Sequence, residues 1–412
     1  MPTPTLLAHP LTRRTVLGGV AASLLVPAFG GRAFAAATPA TRSLRREKPA
    51  PSLEILTDIL QQLPGSLATM DDPQILFTFA DLEAQFAALD VPPFTGWDGT
   101  VEQSRTYMNA TSMLPLGNVG AMLYSADEEF IETIGFNPLA THQALQVGLA
   151  AGAVMAFRGG IDLDAVTTAL EAAGYTPMET STGEPAWSNG PDGEFSPMDP
   201  IQRRTIGAMN NVFILADEWL VFTRTFAVLD AIATFAADTT EDSLFAVAGV
   251  SEAVAMLNDD TIAAYALAGR MLTPEMTFPQ GTDIPDDLAA SDDETGPLAA
   301  ADLLMMAVTG GIRALTDGED VDALADVVVQ ALLAMGSPTD AKDAAAIVAT
   351  RWDSLESSIT KMPYSGQLAL DIAEAVGTVA SFDFSIAGSP AAWFRLIDNR
   401  DWLPFVTTGG NA

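Results

Sequence analysis

The sequence predicts an α+β fold: antiparallel or mixed sheets with helices packed on one face, in which a ferredoxin-like β-α-β-β unit is duplicated. Three observations predict it. Short apolar runs bounded by Gly, Pro, Asn or Asp alternate irregularly with stretches of helical period. Hairpin signals occur at Thr182-Gly183 and Asp217-Glu218. The order strand–helix–strand–strand recurs at 153–187 and 327–384, with no residue-level identity between the copies.

The elements follow in order. Leu53, Leu56, Ile59, Leu60 and Leu63 recur at helical spacing, and Pro64-Gly65 stops the run. Ile75–Ala80 reads as a strand, and Asp81 caps a helix whose face carries Leu82, Phe86 and Leu89. Residues 91–100 form a loop by their Pro and Gly content, and a helix over Asp127–Ile134 ends at Gly135. Ala153–Phe157 is a buried-type strand, after which Arg158-Gly159-Gly160 turns the chain and Asp162 caps a helix with Val166 and Leu170 inward. Thr176–Thr180 and Glu184–Trp187 make one hairpin, and Asn211–Ala216 with Trp219–Arg224 make a second. Helices follow at Phe226–Ala236 and about 243–257, and Thr261–Ala268 is strand-like. Beyond them, Leu303–Val308 and Val327–Leu333 are strands, and Ser337-Pro338 opens a long helix carrying Val348, Trp352 and Leu355. Gln367–Ala373 and Val376–Phe384 are extended, and Ser389-Pro390 opens a last helix.

Composition sets the domain expectation. Residues 38–52 form a basic, Pro-containing linker with Arg42, Arg45, Arg46 and Lys48. Residues 279–298 combine Pro279, Gly281, Pro285 and Pro297 with six acidic residues and read as an acidic interdomain linker. The expected division is therefore an α+β domain at 53–278 and a smaller one at 299–405. Apolar residues make up 49% and charged residues 17%, enough to bury a large core.

Residues 1–37 read as a bacterial twin-arginine (Tat) export signal. Thr12-Arg13-Arg14-Thr15-Val16-Leu17 sets an arginine pair before a mildly apolar stretch, Val16 to Phe29. Ala33-Phe34-Ala35 is an A-x-A cleavage pattern, with Ala37 as the fallback. The apolar run is 14 residues long and contains Gly18, Gly19 and Pro27. A bilayer core needs roughly 20, so cleavage is favoured over a retained anchor. The implied partners are the Tat machinery and signal peptidase, with no stable membrane span after cleavage. The implied location is secreted or at the cell envelope.

Charge and residue counts exclude several functions. The chain holds 53 acidic and 19 basic residues, a net −34. Only Glu47 among the acids, but seven of the basic residues, lie before residue 50, so the remainder carries −40. DNA, RNA and anionic headgroups would be repelled. With no cysteine there is no thiol nucleophile, iron–sulfur cluster or Cys-bound zinc. Histidine occurs at His9 and His142 alone, which removes multi-histidine metal sites. No phosphate loop, dinucleotide fingerprint or G-x-S-x-G is present.

The remaining candidates are weak. Asp217/Glu218 read as turn residues, and His142, after Asn137-Pro138, as a surface or capping residue. Trp97 beside Asp98 could stack on a sugar ring, with plain packing the simpler reading. Asp317-Gly318-Glu319-Asp320-Val321-Asp322 offers oxygen ligands for calcium without EF-hand spacing, so it reads as a solvated loop. Trp219, Trp352 and Trp393 lie in apolar surroundings and read as core. No catalytic, cofactor or metal residue is assigned; the assigned positions are Arg13, Arg14, Leu17, Ala33 and Ala35 of the export signal. The leading expectation is an exported, non-enzymatic binding or structural module. An extracytoplasmic solute-binding protein and a carboxylate-dependent hydrolase such as a glycosidase are the alternatives.

Overall fold

The computed structural model describes residues 52–407, leaving out 70–74, 97–99, 117–118, 121, 124–127, 149–152, 193–195, 197, 206–208, 217, 239–241, 278–296, 314, 316–320, 358 and 399–400. The strands are β1 (Ile75–Asp81), β2 (Gln143–Val147), β3 (Val154–Arg158), β4 (Thr176–Glu179), β5 (Pro185–Ser188) and β6 (Asn211–Leu215). They continue as β7 (Trp219–Thr223), β8 (Thr261–Ala268), β9 (Ala301–Thr309), β10 (Val328–Met335), β11 (Leu368–Val376) and β12 (Val379–Ile386). All twelve form one sheet in the order β11-β12-β10-β9-β8-β1-β2-β3-β7-β6-β5-β4. Every neighbouring pair is antiparallel.

The helices are α1 (Ser52–Gln62), α2 (Leu82–Ala88), α3 (Val101–Thr111), α4 (Glu128–Ile134), α5 (Leu163–Ala172) and α6 (Pro200–Thr205). After them come α7 (Phe226–Ala237), α8 (Val250–Val254), α9 (Pro274–Thr277), α10 (Pro338–Ser354) and α11 (Ala391–Asp398). The protein is thus α+β with an extended antiparallel sheet.

The sheet has two related halves, joined where β1 pairs with β8. Each half starts as a three-strand meander, β1-β2-β3 in one and β8-β9-β10 in the other. A helix then crosses over: α5 leads from β3 to β4, and α10 from β10 to β11. In the second half β12 returns between β10 and β11, the split arrangement of the expected β-α-β-β unit. In the first half the β6–β7 hairpin inserts between β3 and the β4–β5 hairpin, so the same plan is opened wider. Residues 279–298 connect β8 to β9 and, apart from Pro297 and Leu298, lie outside the described residues; β8 and β9 nevertheless pair directly.

One expectation needs correcting: helices pack on both faces of the sheet, not one. Successive strand side chains point to opposite faces, and in the central strands both sets are apolar. On the first face, Met155, Phe157, Phe222, Met306, Phe382 and Phe384 pack with Phe86 of α2, Val166 of α5 and Trp352 of α10. On the second face, Phe77, Phe79, Val221, Met305 and Leu332 pack with Ile59 of α1, Ile232 of α7 and Val254 of α8. A sheet apolar on both sides must be covered on both sides.

Local signals explain most boundaries. The Asp81, Asp162 and Ser337 side chains accept from Ala84 N, Ala165 N and Asp340 N and so start α2, α5 and α10. The expected helix at 243–257 is cut to Val250–Val254, because Gly249 takes φ 82° against Ala334 and Leu303. Among the described residues, no helix is long and apolar enough to cross a membrane.

Candidate functional site

The two edges of the sheet differ. The β4 edge is four residues long and carries Pro177, which lacks a backbone donor. The β11 edge is nine residues long, and its last six residues, Asp371–Val376, are exposed. Ile372 is 47% and Val376 49% exposed, high for apolar strand residues. The β11–β12 hairpin turns at Gly377, φ 60°, and a register irregularity between Leu370 and Ile372 falls at Asp371. α10 packs beneath β11 on the first face. On the second face Val379 is the only residue of β12, and no residue of β11 enters, the apolar cluster.

That corner is polar and acidic. Gln330, Ser381, Asp383 and Glu374 share the second face, since they alternate with Leu332, Val379 and their partners in register. Gln330 is 4% exposed and donates through Nε2 to Met256 O at 3.3 Å. Burial pushes the Asp383 carboxyl above its ordinary value; Glu374 and Asp371 push the same way and a hydrogen bond from Gln330 opposes them. Gln330 Oε1 and Asp383 Oδ1 are both buried acceptors with no hydrogen-bond partner.

A second acidic feature adjoins α1. Leu53, Glu54, Thr57, Asp58, Gln61 and Asp259 line a shallow depression of about 380 Å³. It is open to solvent, with no facing pair of buried groups to hold a substrate away from water. The buried carboxylates elsewhere are committed to the fold. Asp81 accepts from Ser52 Oγ at 2.8 Å and Ala84 N at 2.9 Å. Asp401 accepts from the Ser357 hydroxyl and from Tyr364 OH, joining the end of α10 to the C-terminal segment. Arg351 beside it is fully buried and donates through one terminal nitrogen to Pro404 O at 3.2 Å and Val406 O at 2.7 Å. Burial lowers that guanidinium to about 10.

The residues singled out in sequence are scattered. Arg13, Arg14, Leu17, Ala33 and Ala35 lie outside the described residues, as do Trp97, Asp98, Asp217 and 317–320. Glu218, in the β6–β7 turn, pairs with Arg158 at 2.8 Å across the strand ends. His142 has a structural role. Its carbonyl accepts from Leu82 N and Glu83 N at the start of α2, and its Nδ1 lies 3.3 Å from Glu83 Oε2. Its ring covers Gly159, where a Cβ would come within 2.5 Å of it. Trp219, Trp352 and Trp393 are fully buried. Among the described residues, no three His, Cys, Asp or Glu side chains are grouped to hold a metal ion. The β11 corner was absent from the sequence reading, although two acids, Asp371 and Glu374, set among small and apolar residues in Asp371–Val376 are a signal for an exposed strand.

No family model matches the chain, and no curated protein matches it. Among solved structures, crystal form I of TP0453 matches with a TM-score of 0.32 at 9% identity, over 82% of this chain and 96% of that one. A likeness at that level carries no argument.

Proposed function

We propose that the chain is exported through the Tat pathway, is cleaved after Ala35, and works outside the cytoplasm as a non-enzymatic binding or structural module. Its contact surface on this reading is the β11 end of the sheet. The observation that carries the binding reading is the free edge itself: nine residues of strand, six of them exposed, with apolar Ile372 and Val376 among them. Such an edge presents unpaired N–H and C=O groups and accepts a further strand from a partner. Export rests on the Arg13-Arg14 signal and agrees with the absence of cysteine, since a Tat substrate folds in the reducing cytoplasm. Two features support a non-enzymatic role: the buried carboxylates Asp81 and Asp401 serve as structural clamps, and the shallow depression at α1 is open to water.

The test is site-specific photocrosslinking in producing cells. A photoreactive residue at Ala375 should give one discrete adduct with an envelope component, identified by mass, and one at Thr176 on the opposite edge should give none. Silence at both positions in protein shown to be outside the cytoplasm would refute the reading.

A further inference from the structure

We propose that the partner strand of the β11 edge is a short extended segment with a basic residue between two apolar ones, in the order apolar–x–basic–x–apolar. The proposal rests on the reading of β11 as a contact edge and adds the chemistry of what docks there.

The first observation is which side chains share a face. Ile372 is in register with Asp383, Glu374 with Ser381 and Val376 with Val379. Val379 belongs to the second-face cluster, and residues two apart on a strand point the same way, so Ile372, Glu374 and Val376 form one row on that face. The alternate residues Ala373 and Ala375 are in register with Phe382 and Ala380, which belong to the first-face cluster. Asp371 falls at the irregularity between Leu370 and Ile372, and it bears on Asp383 as Glu374 does, pushing that carboxyl up. Both acids therefore stand beside the row.

The second is what the row asks of a neighbour. A strand laid on the edge sets one side chain opposite each member, with Cβ atoms about 4.5–5.5 Å apart. Ile372 and Val376 are each about half exposed, and an apolar side chain opposite each takes both out of water. Glu374 lies between them, so the middle position of the partner faces a carboxylate. Ala373 and Ala375 carry only a methyl group, so the intervening positions meet no large side chain of β11. The order apolar–acid–apolar reads the same from either end, so the pattern holds for a parallel or an antiparallel partner.

The third is charge. Asp371, Glu374 and Asp383 stand at this corner, and neither β11 nor β12 contains a basic residue. A basic side chain opposite Glu374 makes the favourable cross-strand pair, whereas an acidic one is opposed by Glu374 and Asp371 together. A second copy of the chain fails the same condition, because matching Ile372 to Val376 in an antiparallel pair sets Glu374 against Glu374.

The chain has no cysteine, so a single introduced one can tether a peptide to the full chain by reversible disulfide exchange. A375C places the thiol on β11 facing away from the row, and T176C on the opposite edge is the control; both positions are exposed. The probes are the end-blocked peptides Thr-Val-Cys-Lys-Thr-Val-Thr and Thr-Val-Thr-Lys-Cys-Val-Thr, one for each strand direction, and their glutamate counterparts. Each lysine peptide competes with its counterpart in a thiol–disulfide buffer, and the adducts are counted by intact mass. In one strand direction we expect A375C to capture lysine over glutamate at least tenfold, and T176C to prefer it less than twofold. Adding E374K should bring the A375C preference down to the control value, and adding I372S/V376S should lower capture of the lysine peptide at least fivefold. A preference at A375C no larger than at T176C in both directions would overturn the proposal. So would a preference that survives E374K, or capture indifferent to I372S/V376S. Photocrosslinking at Ala375 in cells separates the two readings. An adduct there with equal capture of the two peptides removes the partner class and leaves the edge standing, whereas silence there removes the edge reading and this one with it. The substituted positions are exposed or half-exposed, so unchanged melting temperatures are expected and are checked alongside.

Discussion

Asp81 anchors the point where the N-terminal segment meets the fold, and its replacement gives a prediction with a sign. The carboxylate caps α2 through Ala84 N and accepts from Ser52, the first residue of α1. Asp81→Ala removes the cap, worth about 1 kcal/mol. It also strands the Ser52 hydroxyl and the Gln143 amide, which hydrogen-bonds to the same carboxyl, at about 1–3 kcal/mol for a buried donor. Set against this is relief from burying a charge, because desolvation raises the Asp81 carboxyl above its ordinary value despite those bonds. The net for alanine is about 2–4 kcal/mol. At about 2 cal/mol/K of unfolding entropy per residue, over some 340 folded residues, that lowers Tm by about 3–6 °C. Asp81→Asn keeps a cap acceptor and removes the charge, so it should stay within about 1 kcal/mol of the wild type at pH 7. The pH dependence has a definite direction. A carboxyl whose folded pKa lies above its unfolded value favours the folded state more as pH falls through the folded pKa, and the gain is complete below 3.8. Wild type should therefore gain on the asparagine variant between pH 7 and pH 4 in thermal unfolding followed by circular dichroism. If asparagine costs as much as alanine at pH 7, the charge itself holds α1 and α2, and the burial argument fails.

Three further outcomes follow from the same reasoning. Replacing Arg13 and Arg14 together with lysine should abolish appearance of the mature chain outside the cytoplasm, scored by fractionation; undiminished export would remove the Tat assignment. Trp352→Ala empties a fully buried site whose ring lies tilted against Phe384, centroids 4.3 Å apart, and donates to Leu368 O at 2.8 Å, so chemical denaturation should show a loss of about 3–5 kcal/mol. Amide exchange should then rise first in β11, which Leu368 begins, and a loss under 1 kcal/mol would mean the site collapses freely. With −40 carried after residue 50, sodium chloride should raise Tm, and millimolar calcium at matched ionic strength should add nothing more. A saturable calcium excess abolished by Asp320→Ala would reveal a specific site within residues 317–322.

Much of the fold was legible because its signals are local. Caps at Asp81, Asp162 and Ser337 and the turn at Gly183 need only neighbouring residues to act, whereas the turn at Gly377 falls inside the expected extended run Val376–Phe384. What was not legible depends on distant pairing. β2 reads Gln143-Ala-Leu-Gln-Val, and its glutamines hide a central strand; Gln146 is buried because its amide reaches Gly148 O at 2.8 Å. α3 buries only Tyr107, Ala110 and Thr111 and so lacks a clear apolar stripe, although Thr100 caps it through Gln103 N. The covering of both faces was written in continuous apolar runs such as Val154-Met155-Ala156-Phe157, which a strand shows when neither side meets water. The candidate site was hidden for a different reason. Nothing within Leu368–Val376 states that this strand is the last in the sheet; that is fixed by β12 returning between β10 and β11.

An exposed strand of this length invites pairing with another copy of itself, and its charges argue against that use. Any antiparallel contact between two β11 edges would set the Asp371 and Glu374 carboxylates of both copies along one strip of six exposed residues. Like charges opposed across a strand pair are destabilising, and each approaching chain carries −40 after residue 50. The β4 edge solves the same problem by being short and carrying proline, so it offers little to any partner. The β11 edge is instead defended by charge sign, which rejects its own kind while leaving its backbone donors and acceptors open to a neutral or basic strand. On the proposed binding reading, negative charge at this corner would act as a filter on partners, turning away acidic strands and admitting neutral or basic ones.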